Sequence, residues 1–156
     1  NEYFTGLEKC IARHNGVINK YIGDAVMALF GAPLHSDSHA VDAYAAACDM
    51  REELVKINES FAQKRFPKII FGIGLHSGRV LAGNIGAANR MEYTVIGDTV
   101  NTASRIEGLC KHYKKDLLLS ESTAQCLKDK DNSICLTLVD ESEIRGRKEK
   151  VTLYSD

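Results

Sequence analysis

The sequence predicts an α+β fold in which helices pack against a mostly antiparallel sheet. Stretches with apolar residues at three- and four-residue steps alternate with short runs of β-branched and aromatic residues. Turn residues join several of the short runs in pairs, as in β-hairpins. The 156 residues, 44% of them hydrophobic, are enough to bury the core of one domain without disulfide bonds.

The first third of the chain predicts a helix, a hairpin and a second helix. Residues 1–15 carry an apolar face and begin without a preceding cap, so we expect the chain to belong to a longer protein. Strands over 17–22 and 25–30 flank Gly23-Asp24, a two-residue hairpin turn. Ser38 is expected to cap a helix that runs to residue 60 and carries a stripe of small apolar residues for packing.

The middle of the chain predicts two glycine-containing strands and then a strand that leads into a helix. The strands span 69–76 and 80–85, and a loop is expected at 86–90. Residues 93–96 form the next strand, and Asp98 or Thr99 is expected to cap the following helix.

That helix has a core face and a polar face. Ala103, Ile106 and Cys110 recur at three- and four-residue steps, whereas Asn101 and Arg105, four residues apart, share a second face near the helix N-terminus. An amide and a guanidinium in this position suit an anion such as a phosphate chain, although a capped, solvated surface helix has the same pattern.

The last third predicts short αβ elements. A buried strand at 116–120, a helix at 121–128 and a strand at 134–139 precede a basic turn at 145–147 and a final strand at 151–154. A strand ahead of residue 1 would complete a ferredoxin-like βαββαβ core, with the extra αβ elements following at the C-terminal end.

Charge and composition exclude several classes of function. The formal net charge of −1 argues against a nucleic-acid binder, and no apolar run is long enough to span a membrane. The five cysteines are scattered without CxxC spacing, which indicates neither a disulfide framework nor a zinc site and favours a reducing compartment. We expect a soluble, cytoplasmic domain without direct membrane contact.

Four motifs in order carry a family likeness. Residues 20–31 (KYIGDAVMALFG) and 92–105 (EYTVIGDTVNTASR) closely resemble the catalytic domain of class III nucleotidyl cyclases, and 72–78 (GIGLHSG) and 81–86 (LAGNIG) lie between them as in that family. The resemblance covers nearly the whole chain. It implies a reaction that converts a nucleoside triphosphate to a 3′,5′-cyclic monophosphate and pyrophosphate, in a homodimer whose sites lie across the interface.

The resemblance assigns roles to individual residues. Asp24 matches the second of two aspartates that hold a pair of Mg²⁺ or Mn²⁺ ions, which activate the ribose 3′-hydroxyl for attack on the α-phosphate and neutralise the triphosphate. Asn101 matches the residue that orients the ribose, and Arg105 the one that stabilises charge developing on the α-phosphate. Arg145 aligns with a basic residue that contacts the outer phosphates.

Lys20 and Thr94 match the pair that reads the purine. Adenine offers an acceptor at N1 and a donor at N6, which suits a lysine and a hydroxyl, whereas guanine reverses this edge and calls for a carboxylate. Guanylyl cyclases of the family typically have an acidic residue and a cysteine there. The pair therefore indicates ATP, and its Thr form resembles a bacterial-type subgroup of adenylyl cyclases.

One part of the family pattern is missing. The first metal aspartate of the family precedes a helix like that at 1–15, so we expect residues 1–156 to be a single cyclase catalytic domain that lacks its first strand and first metal aspartate. Such a fragment should be nearly inactive alone, and an upstream regulatory domain is expected in the intact protein. Two alternatives are a catalytically silent homologue that binds nucleotide or dimerises, and a diguanylate cyclase, whose hairpin should read GGDEF instead of YIGDA.

Overall fold

The chain forms two compact units, Asn1–Phe71 and Gly72–Asp156. They are seen in a computed structural model that describes the backbone of residues 1–156 and all side chains except those of Ile85 and residues 90–94. Among the described residues, none of the helices has the length and apolar character needed to cross a bilayer.

The first unit contains two helices and a hairpin. Its elements are α1 (Glu2–Arg13), β1 (Val17–Ile22), β2 (Ala25–Leu29) and α2 (His39–Gln63). Strands β1 and β2 pair antiparallel from Val17 opposite Leu29 to Ile22 opposite Ala25, with an irregularity between Ile18 and Lys20. The predicted hairpin around Gly23-Asp24 is confirmed.

Both helix starts in this unit differ from the sequence-based expectation. Helix α1 does have a cap, because the Asn1 side chain accepts a hydrogen bond from the Tyr3 N–H at 3.1 Å. Ser38 lies at the cap position of α2, but its hydroxyl donates to the Asp42 carboxylate at 3.2 Å and makes no side-chain cap bond. The Ser38 position is therefore correct and its capping role is wrong.

The second unit contains a mixed sheet, a separate hairpin and two helices. The mixed sheet has the order β3-β6-β8-β7, in which β3 and β6 are parallel and the other neighbours antiparallel. Together with the hairpins, this confirms the predicted α+β class with mostly antiparallel pairing. The elements are β3 (Ile73–Leu75), β4 (Leu81–Ala87), β5 (Arg90–Ile96), α3 (Asp98–Tyr113), β6 (Leu117–Ser120), α4 (Glu121–Lys130), β7 (Thr137–Ser142) and β8 (Val151–Ser155).

Two strand boundaries in the middle of the chain were predicted incorrectly. The expected loop at 86–90 is mostly strand, because β4 and β5 stay paired from Leu81 opposite Ile96 to Ala87 opposite Arg90. The expected strand at 69–76 is shortened to β3. Near its predicted start, the Ile69 N–H and carbonyl bind the Asn58 side-chain amide at 2.8 and 2.9 Å, which satisfies this backbone without a neighbouring strand.

The core of the second unit lies between α3 and the mixed sheet. Strand β6 is completely buried, and a cluster of apolar side chains from α3, β6, β8 and the segment before β8 packs beside it. Burial raises the pKa of the Cys110 thiol to about 11, so this cysteine is an inert core residue. The cluster consists of Ile106, Cys110, Leu118, Ile144, Val151 and Leu153.

Helix α3 lies directly against β3 because β3 carries glycine. A Cβ atom on Gly74 would come within 2.4 Å of the Glu107 backbone nitrogen and 2.8 Å of the Ala103 carbonyl oxygen. Both are backbone atoms of α3 and cannot move aside without shifting the helix. Gly74 therefore sets how closely helix and sheet approach.

We predict that Gly74→Ala lowers the free energy of unfolding by about 3 kcal/mol or more, since it overpacks a contact with rigid backbone. Gly108→Ala is the matched control on α3, because a Cβ there meets no described atom within 4 Å. That change should be neutral or stabilise by up to about 1 kcal/mol. Urea unfolding of the two variants tests the comparison, and equal midpoints would contradict this packing.

Candidate active site

Two of the predicted site residues lie on the hairpin of the first unit. Asp24 is exposed at the β1–β2 turn, where Gly23 has the positive φ of 61° that glycine adopts without strain. Lys20 is exposed on β1, opposite Met27 in the backbone register. The structure thus brings an ammonium and a carboxylate onto one hairpin.

The described residues offer few ligands for a metal ion. The Asp24 carboxylate is a hard oxygen ligand suited to Mg²⁺ or Mn²⁺. Among the side chains that the structure describes, however, no group of three or more His, Cys, Asp or Glu residues is arranged to hold a metal ion. The donor set seen here therefore does not by itself fit a pair of divalent ions.

The other predicted residues belong to the second unit. Asn101 is exposed in the first part of α3, and Arg105 follows one turn later and is partly buried. The Thr94 backbone lies in β5 opposite Gly83, and its side chain lies outside the described residues. The expected polar face of α3 is present.

The Arg105 side chain binds the turn between β7 and β8. Its guanidinium donates to the main-chain carbonyl of Arg145. The turn is closed by a hydrogen bond from the Arg147 N–H to the Ile144 carbonyl at 3.0 Å, and Ile144 is itself part of the core. Arg145 is exposed, so α3 and this turn bring Asn101, Arg105 and Arg145 into one region of the second unit.

Gly146 allows this close approach. It has a positive φ of 86°, and a Cβ atom there would lie 2.9 Å from Nη1 of Arg105. A side chain at position 146 would therefore strain the backbone and displace the arginine.

The start of α3 differs from the prediction. Neither Asp98 nor Thr99 makes a side-chain cap, since Gly97 lies at the cap position and Asp98 is the first helical residue. The Thr99 hydroxyl donates instead to the Arg79 carbonyl at 2.6 Å. The Asp98 carboxylate accepts a hydrogen bond from Arg147 at 3.0 Å.

Arg147 is a residue that the motifs did not identify. Its Nη1 lies 3.0 Å from Asp98 Oδ2 and 3.2 Å from the hydroxyl of Thr102, which is completely buried. The only sequence signal was an arginine in a basic turn and an aspartate at a helix start. No local rule connects the two because they are 49 residues apart.

A histidine lies close to this ion pair. The His76 ring hydrogen-bonds the Ser120 hydroxyl at 2.7 Å and so connects the end of β3 to the start of α4. Burial, followed by the positive charge of Arg147, lowers the pKa of His76, and the charge of Asp98 partly opposes this. His76 therefore stays neutral near pH 7 and adds no cation to the region.

The segment before β8 is rich in cations. Residues 143–150 surround an open recess of about 580 Å³, whose lining includes four basic and two acidic side chains. The excess of positive charge, together with Arg105, suits a polyanionic ligand. The charged lining residues are Glu143, Arg145, Arg147, Lys148, Glu149 and Lys150.

The fold and these motifs are those of nucleotide cyclase catalytic domains. Residues 1–155 match the adenylate and guanylate cyclase catalytic domain, and the chain belongs to this family. An adenylate cyclase of Anabaena cylindrica is 40% identical over 159 residues, which cover 99% of this chain and 30% of that protein. The chain thus spans less than a third of the length of that relative.

Solved structures of both substrate types resemble the chain. The adenylyl cyclase CyaB from P. aeruginosa has a TM-score of 0.87 and 29% identity, with 99% of this chain and 78% of that chain covered. The guanylyl cyclase Cya2 has a TM-score of 0.85 and 29% identity, with coverages of 99% and 76%. Substrate choice must therefore be argued from individual residues.

We predict that Gly146→Ala displaces the Arg105 guanidinium from the turn. The substitution should lower the free energy of unfolding by about 1 to 2 kcal/mol because of the left-handed backbone at this position. The lost hydrogen bond should lower it by about 1 kcal/mol more. In an Arg105→Met background only the effect of the left-handed backbone should remain. A double-mutant cycle of urea unfolding measures the difference.

Gly23→Ala is the control for this cycle. Its φ is also positive, at 61°, but a Cβ there meets no described atom within 4 Å. It should therefore show no coupling to Arg105→Met. Equal coupling for Gly23 and Gly146 would contradict the assigned contact.

Proposed function

We propose that the chain is an adenylyl cyclase catalytic domain that converts ATP to 3′,5′-cyclic AMP and pyrophosphate. The observation that carries this proposal is the placement of Lys20 and Asp24 on one hairpin, within a domain of the cyclase family. The adenylate cyclase relative from Anabaena cylindrica supports the choice of ATP.

Adenine recognition is assigned to Lys20 and Thr94. Lys20 is exposed on β1 and donates hydrogen bonds only, which matches the N1 acceptor of adenine and opposes the N1–H donor of guanine. Thr94 supplies a hydroxyl that can accept from the adenine N6 amino group. A carboxylate in place of Lys20 would favour guanine, because it could accept from the guanine N1–H, and the residue there is a lysine.

The ribose and phosphates are assigned to α3 and the turn before β8. Asn101 has an amide that can hydrogen-bond the ribose and orient its 3′-hydroxyl. Arg105 keeps further N–H donors for the α-phosphate, because a guanidinium carries five and one is bound to the Arg145 carbonyl. The exposed Arg145 side chain then contacts the outer phosphates, which leave as pyrophosphate.

The proposed metal site requires a residue outside this chain. Asp24 is one of its ligands, and we propose that an aspartate from a strand preceding residue 1 completes it. When bound, two divalent ions would supply Lewis-acid activation of the 3′-hydroxyl and charge neutralisation of the triphosphate.

We also propose that the active form is a cytoplasmic homodimer with two equivalent sites at the interface. Apolar side chains that are between about half and two-thirds exposed in the single chain occur in both units, among them Tyr21 and Ile22 on the first hairpin and Leu81 and Ile96 at the end of the second. A dimer interface would remove such apolar groups from water. An upstream regulatory domain would then act on this assembly.

We predict that the 156-residue chain alone forms little cyclic AMP with ATP and Mn²⁺, and that adding the native upstream segment raises the rate by orders of magnitude. The physical reason is that one aspartate cannot hold two cations against a triphosphate. The measurement is cyclic AMP formation at matched protein concentration.

Asp24→Asn in the extended protein is the matched variant. It preserves size and turn propensity but removes the ligand charge, so activity should again fall by orders of magnitude in a folded protein. Robust activity of the short chain, or undiminished activity of Asp24→Asn, would refute this account of the metal site. An inactive extended wild type would favour the silent homologue.

A separate prediction tests purine recognition. Lys20→Glu combined with Thr94→Cys should lower turnover of ATP by about tenfold or more, because a mispaired buried polar group costs about 1 to 3 kcal/mol. The rates with ATP and GTP are compared in the extended protein. Unchanged ATP turnover would remove both residues from the purine site.

A further inference from the structure

The turn that carries Arg145 is held to α3 at two points. At the first, the Arg105 guanidinium from the helix binds the Arg145 carbonyl of the turn. At the second, the Arg147 guanidinium from the turn binds Asp98 on the helix at 3.0 Å. The helix provides one of the two arginines and the turn provides the other, so the two attachments use different side chains.

The second attachment is anchored in the core. Arg147 also binds the Thr102 hydroxyl at 3.2 Å, and Thr102 Oγ1 lies 3.5 Å from Asp98 Oδ2. Thr102 is completely buried, whereas the Asp98 side chain is exposed at the first residue of α3, so the buried hydroxyl is the partner of Arg147 that lies in the core. An exposed ion pair alone contributes little to stability, but the buried hydroxyl gives this one a fixed position.

Arg147 differs from its neighbour in the turn in how its charge is used. Its Nη1 is bound to a carboxylate and a hydroxyl, whereas the Arg145 side chain is exposed and only its carbonyl is bound to α3. The Arg147 cation therefore holds the turn in place, whereas the Arg145 cation is exposed on the surface of the turn.

We propose that Arg147 is a positioning residue of the active site. Through Asp98 and Thr102 it fixes the turn, so that the Arg145 side chain is held beside Arg105 and the affinity for the triphosphate part of the substrate depends on this ion pair. The inference rests on the proposed function, in which Arg145 and Arg105 contact the phosphates.

The alternative is that Arg147 itself binds phosphate. The two roles predict opposite changes in the affinity for phosphate when Asp98 is replaced by Asn. If Asp98 only competes with phosphate for Arg147, removal of its charge should tighten binding of the anion. If Asp98 holds the positioning arginine, the same nearly isosteric change should weaken it.

The experiment compares Asp98→Asn, Arg147→Met and the double variant with wild type in the extended, active protein. We expect each single change to raise the KM for ATP and the inhibition constant of pyrophosphate about fivefold to twentyfold, as for loss of one charged hydrogen bond. The inhibition constant of adenosine, which has no phosphate, should stay within about twofold. The double variant should be no worse than Arg147→Met, since both changes break one interaction.

Lys111→Met is the matched control. It removes one positive charge from the exposed surface of the last turn of α3 and does not line the recess. It should change the pyrophosphate constant by less than about threefold. A loss equal to that of Arg147→Met would show that the net charge of the second unit matters instead of the ion pair, and would overturn the inference.

Other outcomes also decide the question. Unchanged or tighter pyrophosphate binding in Asp98→Asn overturns the proposal, and so does an equal loss of adenosine binding, which would indicate general distortion. If Arg147→Met does not fold, the exposed, isosteric Asp98→Asn still gives the result. A wild type that binds pyrophosphate but forms no cyclic nucleotide refutes the proposed function, while the dissociation constants of pyrophosphate, measured by calorimetry for the same variants, still test Arg147.

Discussion

The second unit depends on the close approach of α3 to β3. Gly74 lets the helix backbone near Glu107 lie against the strand, and β3 in turn pairs with the completely buried β6. A helix held this tightly has one position along the sheet. This contact in the core therefore also fixes the position of the polar residues on the outer face of the helix, as preorganised binding sites require.

The segment before β8 gains its order from α3. A connection rich in lysine and arginine should by itself be extended by charge repulsion. Here Ile144 packs into the core, Arg105 binds the backbone of the turn, and Arg147 binds the helix start. The Arg147 side chain and the backbone of the turn are thus held by contacts with α3, whereas the Arg145 side chain stays exposed.

The first unit positions its two proposed site residues, Lys20 and Asp24, by a simpler structure. Lys20 and Asp24 need only a hairpin, because the strand register places one on β1 and the other at the turn. A pair of divalent ions would need more carboxylate oxygens than Asp24 alone offers. The proposed activity therefore requires a further carboxylate ligand.

Local sequence patterns determined the α+β class, the Gly23-Asp24 hairpin and the two faces of α3, because turn geometry and helical periodicity act over a few residues. Motif resemblance predicted the family, which the comparisons confirm, and the site residues, whose roles stay predictions. Tertiary structure decided the rest. The Asn58 side chain bound the backbone at Ile69 and shortened β3, and Arg147 reached Asp98 across 49 residues. Such contacts form because the tertiary fold brings together residues that are far apart in the sequence. The local spacing of residues does not predict them.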